Sequence, residues 1–353
     1  MNDNRAAVER LMALGTDVVE TIERREFPRL RIPDRATDNI ALLEHDDRVG
    51  LGTSFVTRDS SNVRHVKSFA QILWVASYAK ELIKSARTSS LRDLYYSSEA
   101  FGVKFKDQAE SDKVITDLEC LVGLSREEFG VFPEEHSSVF GEVTMRYTVP
   151  GYEGREVNLT ASPDGLPIGP ALMSAEPLRS DARIILAVES GGMFSRLIET
   201  RAWERFKAVL VQLGGQAPRS TRRLMRRLHD ELGLPVYVFT DGDPWGMHIA
   251  RVVMAGSANA AHIDGLAIPD ADWIGVTALD IQNYSLPTEP MNDSDLKRLD
   301  ELSADVRYVG PQWQEHIRAF RDLRLKAEQQ AFSRYGMDYV VDSYLAQKLG
   351  STT

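Results

Sequence analysis

Apolar positions at Val8, Leu11, Met12, Val18, Val19 and Ile22 recur at helical spacing and predict a helix over residues 1–25. Residues 27–65 are rich in Pro, Asp and Arg, with short apolar runs such as IALL, and predict an irregular arm or small hairpin. A second helix is expected from about Val66 to Arg87, with Phe69, Ile72, Leu73, Leu82 and Ile83 on one face. The segment TSSLRDLYYSSE opens a third helix, with Ser89 or Ser90 as its N-cap. A fourth amphipathic stretch lies near 109–122, and VFGEVTMRYTV (Val139–Val149) alternates as a hairpin strand does.

From about residue 151 the texture changes. PGYEGRE and SPDGLPIGP are turn-rich punctuation around short strands. ARIILAVES is a continuous apolar run ending in an acid, which suits a strand buried on both faces of a parallel sheet. A helix (about 193–207), the strand FKAVLVQL, an arginine-rich helix and the strand LPVYVFTDGDPWG follow. A helix from His248 to about Met254, a strand near Trp273–Val276 and a C-terminal helix from Trp313 to about Tyr335 complete the pattern. Trp313, Phe320, Leu323 and Ala327 form a face of that last helix suited to core or dimer contact.

Three helices followed by a strand pair is the order of a winged-helix module of the helix-turn-helix class. Strand–helix alternation means an α/β sheet with crossover helices. The expected architecture is therefore α/β plus α+β, in three parts: an N-terminal helix and arm (1–65), a winged-helix domain (66–150), and an α/β domain with a parallel sheet and C-terminal helices (151–353).

The chain has 353 residues, 42 basic against 52 acidic, and a formal net charge of −10. That average hides segregation: residues 61–90 sum to +4, residues 201–230 to +6 and residues 231–300 to −8. Arg219, Arg222, Arg223 and Arg226 follow i, i+3, i+4, i+7 spacing on one helix face. Such a run serves as a solvated face or as a phosphate contact. With no acid between Arg219 and Arg227, a phosphate-backbone contact is favoured over a solubility face. No apolar run is long enough for a membrane span, and the N-terminus lacks an export pattern, so a cytoplasmic location is expected. A single cysteine, Cys120, excludes an internal disulfide framework and a cysteine zinc site, and fits a small core residue.

Candidate chemistry sits at strand ends, where α/β folds place their sites. Glu189 closes IILAVE, and Asp241 and Asp243 flank Gly242 in VYVFTDGDP. Hard oxygen ligands of this kind suit Mg²⁺ or Mn²⁺, and a carboxylate–Mg²⁺ cluster polarises phosphate oxygens. VESGGMFSRL matches neither a Walker A nor a dinucleotide fingerprint, and no other segment does, so no nucleotide-hydrolysing site and no cofactor-binding residues are expected. Tyr95 and Tyr96 are adjacent on a helix, so one packs while the other faces solvent. A tyrosine nucleophile, with an ordinary pKa of about 10, needs cationic neighbours or a metal to ionise. Arg92 lies on the same face as either tyrosine. His248 follows D-P-W-G and serves as a phosphate contact or a structural group. His45, His65, His136, His229, His262 and His316 show no ligand pairing.

LRDLYYSSE, VFPEEHSSVFGEVTMRYTVPGYEGR, NLTASPDGLPIGPAL, AVESGGMFSRLIE, GGQAPRSTRRLMRRL and LPVYVFTDGDPWGMHIA together resemble the A subunits of archaeal-type DNA topoisomerase VI, a family that includes the meiotic double-strand-break transesterase. The resemblance runs from about Phe27 to Leu349. It implies a CAP-like winged-helix domain carrying a nucleophilic tyrosine and a Toprim domain carrying the acids. By its R-D-x-[YF]-Y pattern the nucleophile is Tyr96, with Arg92 beside the scissile phosphate. Glu189 and Asp241 would hold Mg²⁺, with Asp243 completing or sharing the site. The resemblance also implies a homodimer through both domains, each Tyr96 acting with the partner's acids. A separate GHKL ATPase B subunit would complete an A2B2 heterotetramer, with Val8, Leu11 and Val18 of the N-terminal helix as candidate contacts. The chain departs from the family at Ser190, where relatives often carry Lys, and at Ala255, where many carry a basic residue.

The implied activity is ATP-dependent type IIB topoisomerase cleavage: Tyr96 attacks a DNA phosphodiester, leaving a 5′-phosphotyrosyl link that the reverse step reseals. A break-only transesterase, a Toprim nuclease using water and a non-catalytic DNA-binding protein are the alternatives.

Overall fold

The computed structural model describes residues 2–43, 47–133 and 137–350, so His45 and His136 lie outside the described residues. The chain forms two compact units. The first comprises Met1–Ala41, Gly50–Glu134 and Ala258–Asp264; the second comprises Leu42–Val49, Glu135–Ser257 and Gly265–Thr353.

Four helices dominate the first unit: Asn2–Glu23, Val63–Ser85, Leu91–Ala100 and Gln108–Val122. Their apolar faces meet in a core where Ile72, Val75, Leu94, Ile115, Leu118 and Phe129 are sealed from solvent. An antiparallel ladder, Arg29–Pro33 on Phe55–Asp59, gives the expected arm its order. Leu11 and Val18 of the first helix are buried in this core, so they are not available as contacts for another chain. Met12, Val19 and Ile22 are the exposed apolar residues there.

Helix Leu91–Ala100 starts where it does because Ser90 caps it. Ser90 Oγ accepts the Asp93 N–H at 2.9 Å, and Asp93 Oδ2 accepts the Ser90 N–H at 3.2 Å. This reciprocal pair satisfies two of the N–H groups that a helix start leaves without intrahelical partners. Just before the helix, Ser89–Ser90 pairs in parallel with Val131–Phe132.

The second unit is built on a six-stranded sheet in the order Leu166–Pro167, Ser138–Phe140, Ala208–Gln212, Ile184–Val188, Val236–Phe239, Asp272–Gly275. The last four strands run parallel; Ser138–Phe140 joins them antiparallel. Ile184–Val188 is buried at every position, which is why its sequence is unbroken apolar rather than alternating. Helices cover the sheet, and Phe194, Leu197, Phe239, Leu299, Phe320 and Tyr344 fill the core.

Several expected elements are corrected. The alternating segment Val139–Val149 is not a wing of the first unit. Ser138–Phe140 belongs to the central sheet, and Val143–Arg146 sits between Glu156–Asn158 and Glu176–Ser180. Val139, Phe140, Val143, Thr144 and Met145 are all buried, so this segment needs sheet neighbours on both sides, not a solvated hairpin. The boundary accordingly falls at residues 134/135 rather than 150, and the arm shares one unit with the helices that follow it. The helix expected over 193–207 divides into Gly191–Glu199 and Ala202–Arg205, broken by left-handed Arg201 (φ 54°). The C-terminal helix ends at Leu323, because Arg324 turns left-handed (φ 55°), and Leu325–Lys326 becomes a short strand. Trp313 and Phe320 are core residues of that helix, whereas Ala327 lies beyond it.

Replacing Ser90 with Ala removes the cap of the helix that carries Tyr95 and Tyr96. We expect a loss of about 1 kcal/mol in urea unfolding followed by far-ultraviolet circular dichroism. An unchanged midpoint would show that the capping box does not stabilise this helix.

Candidate active site

The capped helix presents its two tyrosines differently. Tyr95 packs half-buried against the core of the first unit, while Tyr96 is 55% exposed. Their rings meet edge-on at 5.2 Å. Arg92, one turn before Tyr96, places its guanidinium carbon 5.9 Å from the Tyr96 ring centroid. A phenol, open to solvent, thus sits beside a permanent cation on a capped helix.

The acids gather in the second unit. Ile184–Val188 and Val236–Phe239 are adjacent parallel strands, and Glu189 and Asp241 follow their carboxyl ends. Glu189 Oε2 accepts the Asp241 N–H at 3.0 Å, which links the two strand ends directly. Asp243 caps the next helix, Pro244–Ala255, with Oδ1 2.6 Å from the Gly246 nitrogen. The turn allows no larger residue at 246: a Cβ there would lie 2.2 Å from the Asp241 carbonyl oxygen. At Gly242 a Cβ would press on Val276 and on the Ala327 carbonyl at 3.0 and 3.1 Å.

Behind this turn lies a segment that periodicity did not single out. Gly242 exchanges backbone hydrogen bonds with Ala327, at 2.7 and 3.2 Å. Gln329 donates its backbone N–H to Asp241 Oδ1 at 2.8 Å. Glu328, between them, lies close enough to raise the proton affinity of both Glu189 and Asp241. Lys326 pairs with buried Asp295 at 2.9 Å, and Asp295 also accepts from the Trp245 indole at 3.2 Å. Asp241, Asp243, Lys326, Glu328 and Arg334 border a cavity of about 540 Å³. The only sequence signal was the polar run EQQ, which interrupts the apolar face of the helix expected there.

Burial and crowding of like charge act together on these carboxyls. Burial first, then the Asp241 charge, pushes Glu189 up to about 8. Burial pushes Asp241 up to about 6, opposed by the Gln329 N–H and reinforced by Asp243 and Glu328. Asp243 is raised by burial as well, against the Gly246 and Trp245 N–H groups. Among the described residues no three His, Cys, Asp or Glu side chains form a ready-made metal cage. The donor chemistry nevertheless fits a hard divalent cation. Mg²⁺ keeps several waters and needs only one or two protein carboxylates besides phosphate oxygens. A cation would also offset the mutual repulsion that raises these acids.

The structure gathers Glu189, Asp241 and Asp243 in the second unit, and Arg92 and Tyr96 in the first. It does not leave the arginines of helix Arg219–Leu232 as an open stripe without acids. Arg222 is buried, and Arg226 pairs with Asp230 at 2.6 Å while donating to the Ala267 carbonyl at 2.9 Å. Arg227 pairs with Glu231 at 2.7 Å. The acids that bind Arg226 and Arg227 lie one turn later, beyond the acid-free window. Arg219 and Arg223 remain half-exposed. His248 is no phosphate contact: its Nδ1 lies 2.9 Å from the buried Tyr308 hydroxyl, and burial with Arg298 and Arg307 nearby pushes it down to about 3. Cys120 is half-buried against the first core.

Residues 184–349 match the family model for the Toprim domain of the topoisomerase 6 A subunit and Spo11, and residues 67–131 match the one described as type IIB DNA topoisomerase. A Toprim sheet with acids at its strand ends, following a type IIB segment, defines the class of Toprim-bearing type IIB proteins. Curated relatives are each named as the A subunit of type 2 DNA topoisomerase 6. The one from Methanothermobacter thermautotrophicus is 44% identical over 353 residues, covering 99% of this chain and 98% of the relative. Those from Halobacterium salinarum and Archaeoglobus fulgidus are 38% and 35% identical, covering 99% and 98% of this chain and 97% of each relative. The chain belongs to the family of type 2 DNA topoisomerase 6 A subunits.

The raised carboxyls set a pH dependence of stability in metal-free protein. Between the ordinary glutamate value of 4.5 and about 8, the native state holds a Glu189 proton that the unfolded chain has lost. Stability therefore falls as pH rises through that window. Glu189→Gln should flatten the fall and leave the variant about 1–3 kcal/mol more stable at pH 8 in chelator, with little difference near pH 4.5. Urea unfolding at the two pH values checks this; equal slopes for both proteins would contradict it.

Proposed function

We propose that this chain cuts and rejoins double-stranded DNA as the catalytic subunit of an ATP-dependent type IIB topoisomerase, with Tyr96 as nucleophile. Family membership makes it the DNA-cleaving subunit. The observation that carries the residue assignment is Tyr96 itself, exposed on a capped helix with Arg92 one turn before it.

In this reading the Tyr96 hydroxyl loses its proton as Oη attacks phosphorus. The P–O3′ bond breaks, the 3′ oxygen takes up a proton, and the 5′ phosphate stays on Tyr96. One phosphoester replaces another, so the reverse step reseals the strand. Arg92 offsets charge on the phosphate and on the developing phenolate. Glu189 and Asp241, with Asp243, hold Mg²⁺, which supplies Lewis-acid stabilisation of phosphate charge. Glu189 and Asp241 are ordered for this by the Asp241 N–H bond, and Asp243 by its helix cap. Two chains cut the two strands, each Tyr96 acting with its partner's acids, in a homodimer formed through the Toprim and winged-helix domains. The winged-helix reading of the first unit is supported by its packed helices Val63–Ser85, Leu91–Ala100 and Gln108–Val122. ATP hydrolysis falls to a GHKL-class B subunit in an A2B2 assembly, in keeping with the missing Walker motif, and Met12, Val19 and Ile22 become candidate contacts. Arg219 and Arg223 remain as DNA-backbone contacts, with Arg222 and Arg226 holding their helix. No helix among the described residues is long and apolar enough to cross a membrane. As a DNA-cleaving subunit, the chain works at the nucleoid.

With the B subunit, ATP and Mg²⁺, Tyr96→Phe should abolish denaturant-resistant protein–DNA adducts while DNA binding persists. An adduct retained by this variant would refute the assignment. The double change Asp241→Ala and Asp243→Ala should remove divalent-dependent cleavage; unaffected cleavage would refute the metal site. Relaxed circles are expected from supercoiled plasmid. Linear product alone would indicate a break-only transesterase, and cleavage without adduct a nuclease using water.

A further inference from the structure

The two central parallel strands stop one residue before Glu189 and two before Asp241. Both ends converge on Gln329, a residue with no solvent exposure. Its Nε2 donates to the Phe239 carbonyl at 2.8 Å, and its Oε1 accepts the Ser190 N–H at 3.1 Å. Its own backbone N–H donates to Asp241 Oδ1 at 2.8 Å. One residue therefore holds the position after Glu189, the end of the strand that leads to Asp241, and the Asp241 carboxylate itself. Gln330 extends the link, donating from Nε2 to Ser190 Oγ at 2.6 Å. The Gly242–Ala327 pairing keeps this segment against the turn. An apolar side chain of the same length would leave the half-buried Ser190 N–H and the buried Phe239 C=O without this partner, and both lie beside the acids.

We infer that Gln329 is a positioning residue of the acid site. By bonding to both strand ends it holds Glu189 and Asp241 at the separation that binds a divalent cation, without touching the cation. The role rests on the reading of Glu189, Asp241 and Asp243 as cation ligands. Groups that orient metal ligands in this way typically govern about 10–100-fold in metal affinity.

The test is Mn²⁺ binding to the full-length protein, followed by loss of the free-ion electron paramagnetic resonance signal, alongside thermal unfolding in chelator. Wild type should bind Mn²⁺, and the double variant Asp241→Asn, Asp243→Asn should not. Gln329→Met should weaken binding by about 10–100-fold. Leu302→Ala, a cavity in the same core, should lower the thermal midpoint while leaving the Mn²⁺ Kd unchanged, which separates positioning from general loosening. Gln329→Met binding as tightly as wild type would overturn the inference. If Gln329→Met does not fold, Gln329→Asn decides: its amide is one methylene too short to reach both strand ends, and wild-type affinity there would equally overturn it. If wild type and the double acid variant behave alike, the cation-ligand reading fails first and the positioning role falls with it.

Discussion

The second unit is organised around the cost of holding negative charge at the end of a buried sheet. Ile184–Val188 is buried throughout and Val236–Phe239 at all but Tyr237, so their carboxyl ends deliver Glu189 and Asp241 into a partly desolvated space. Ionised carboxylates in such a place repel one another and lose hydration. The fold answers with backbone N–H groups: Asp241 to Glu189, Gln329 to Asp241, Gly246 to Asp243. These donors orient the acids but do not neutralise them, and under the proposed reading a divalent cation would offset the remaining imbalance.

The first unit solves a different problem. The tyrosine proposed as the nucleophile must be reachable, yet held. Tyr95 anchors the helix in the core, and the reciprocal Ser90–Asp93 cap fixes where it begins. Tyr96 is left open, with Arg92 beside it. The cation is contributed by helical spacing alone, because residues one turn apart share a face.

Much of this was legible in the sequence, for reasons that can be named. Unbroken apolar runs exposed the parallel strands, and the acids at their ends followed from where α/β folds place sites. The place of Ser89 and Ser90 before LRDLYY marked a cap at one of the two, and the structure uses Ser90. What stayed hidden depended on neighbours far away in the chain. The alternation of Val139–Val149 is compatible with a wing or with an inner strand, and only its burial decides between them. Arg226 and Arg227 look unpaired in the acid-free window because Asp230 and Glu231 lie one turn on. The left-handed turn at Arg324 carries no glycine or proline to announce it, so periodicity alone runs the helix on through the segment bearing Gln329.

A single tyrosine, Tyr96, is proposed to become covalently joined to the 5′ end of cleaved DNA. The most direct measurement is mass spectrometry of the adduct after nuclease and protease digestion, with fragmentation across the Tyr95–Tyr96 pair. The account predicts a 5′-linked nucleotide on Tyr96 alone. The same mass on Tyr95, or cleaved DNA without any tyrosine-linked nucleotide, would contradict it.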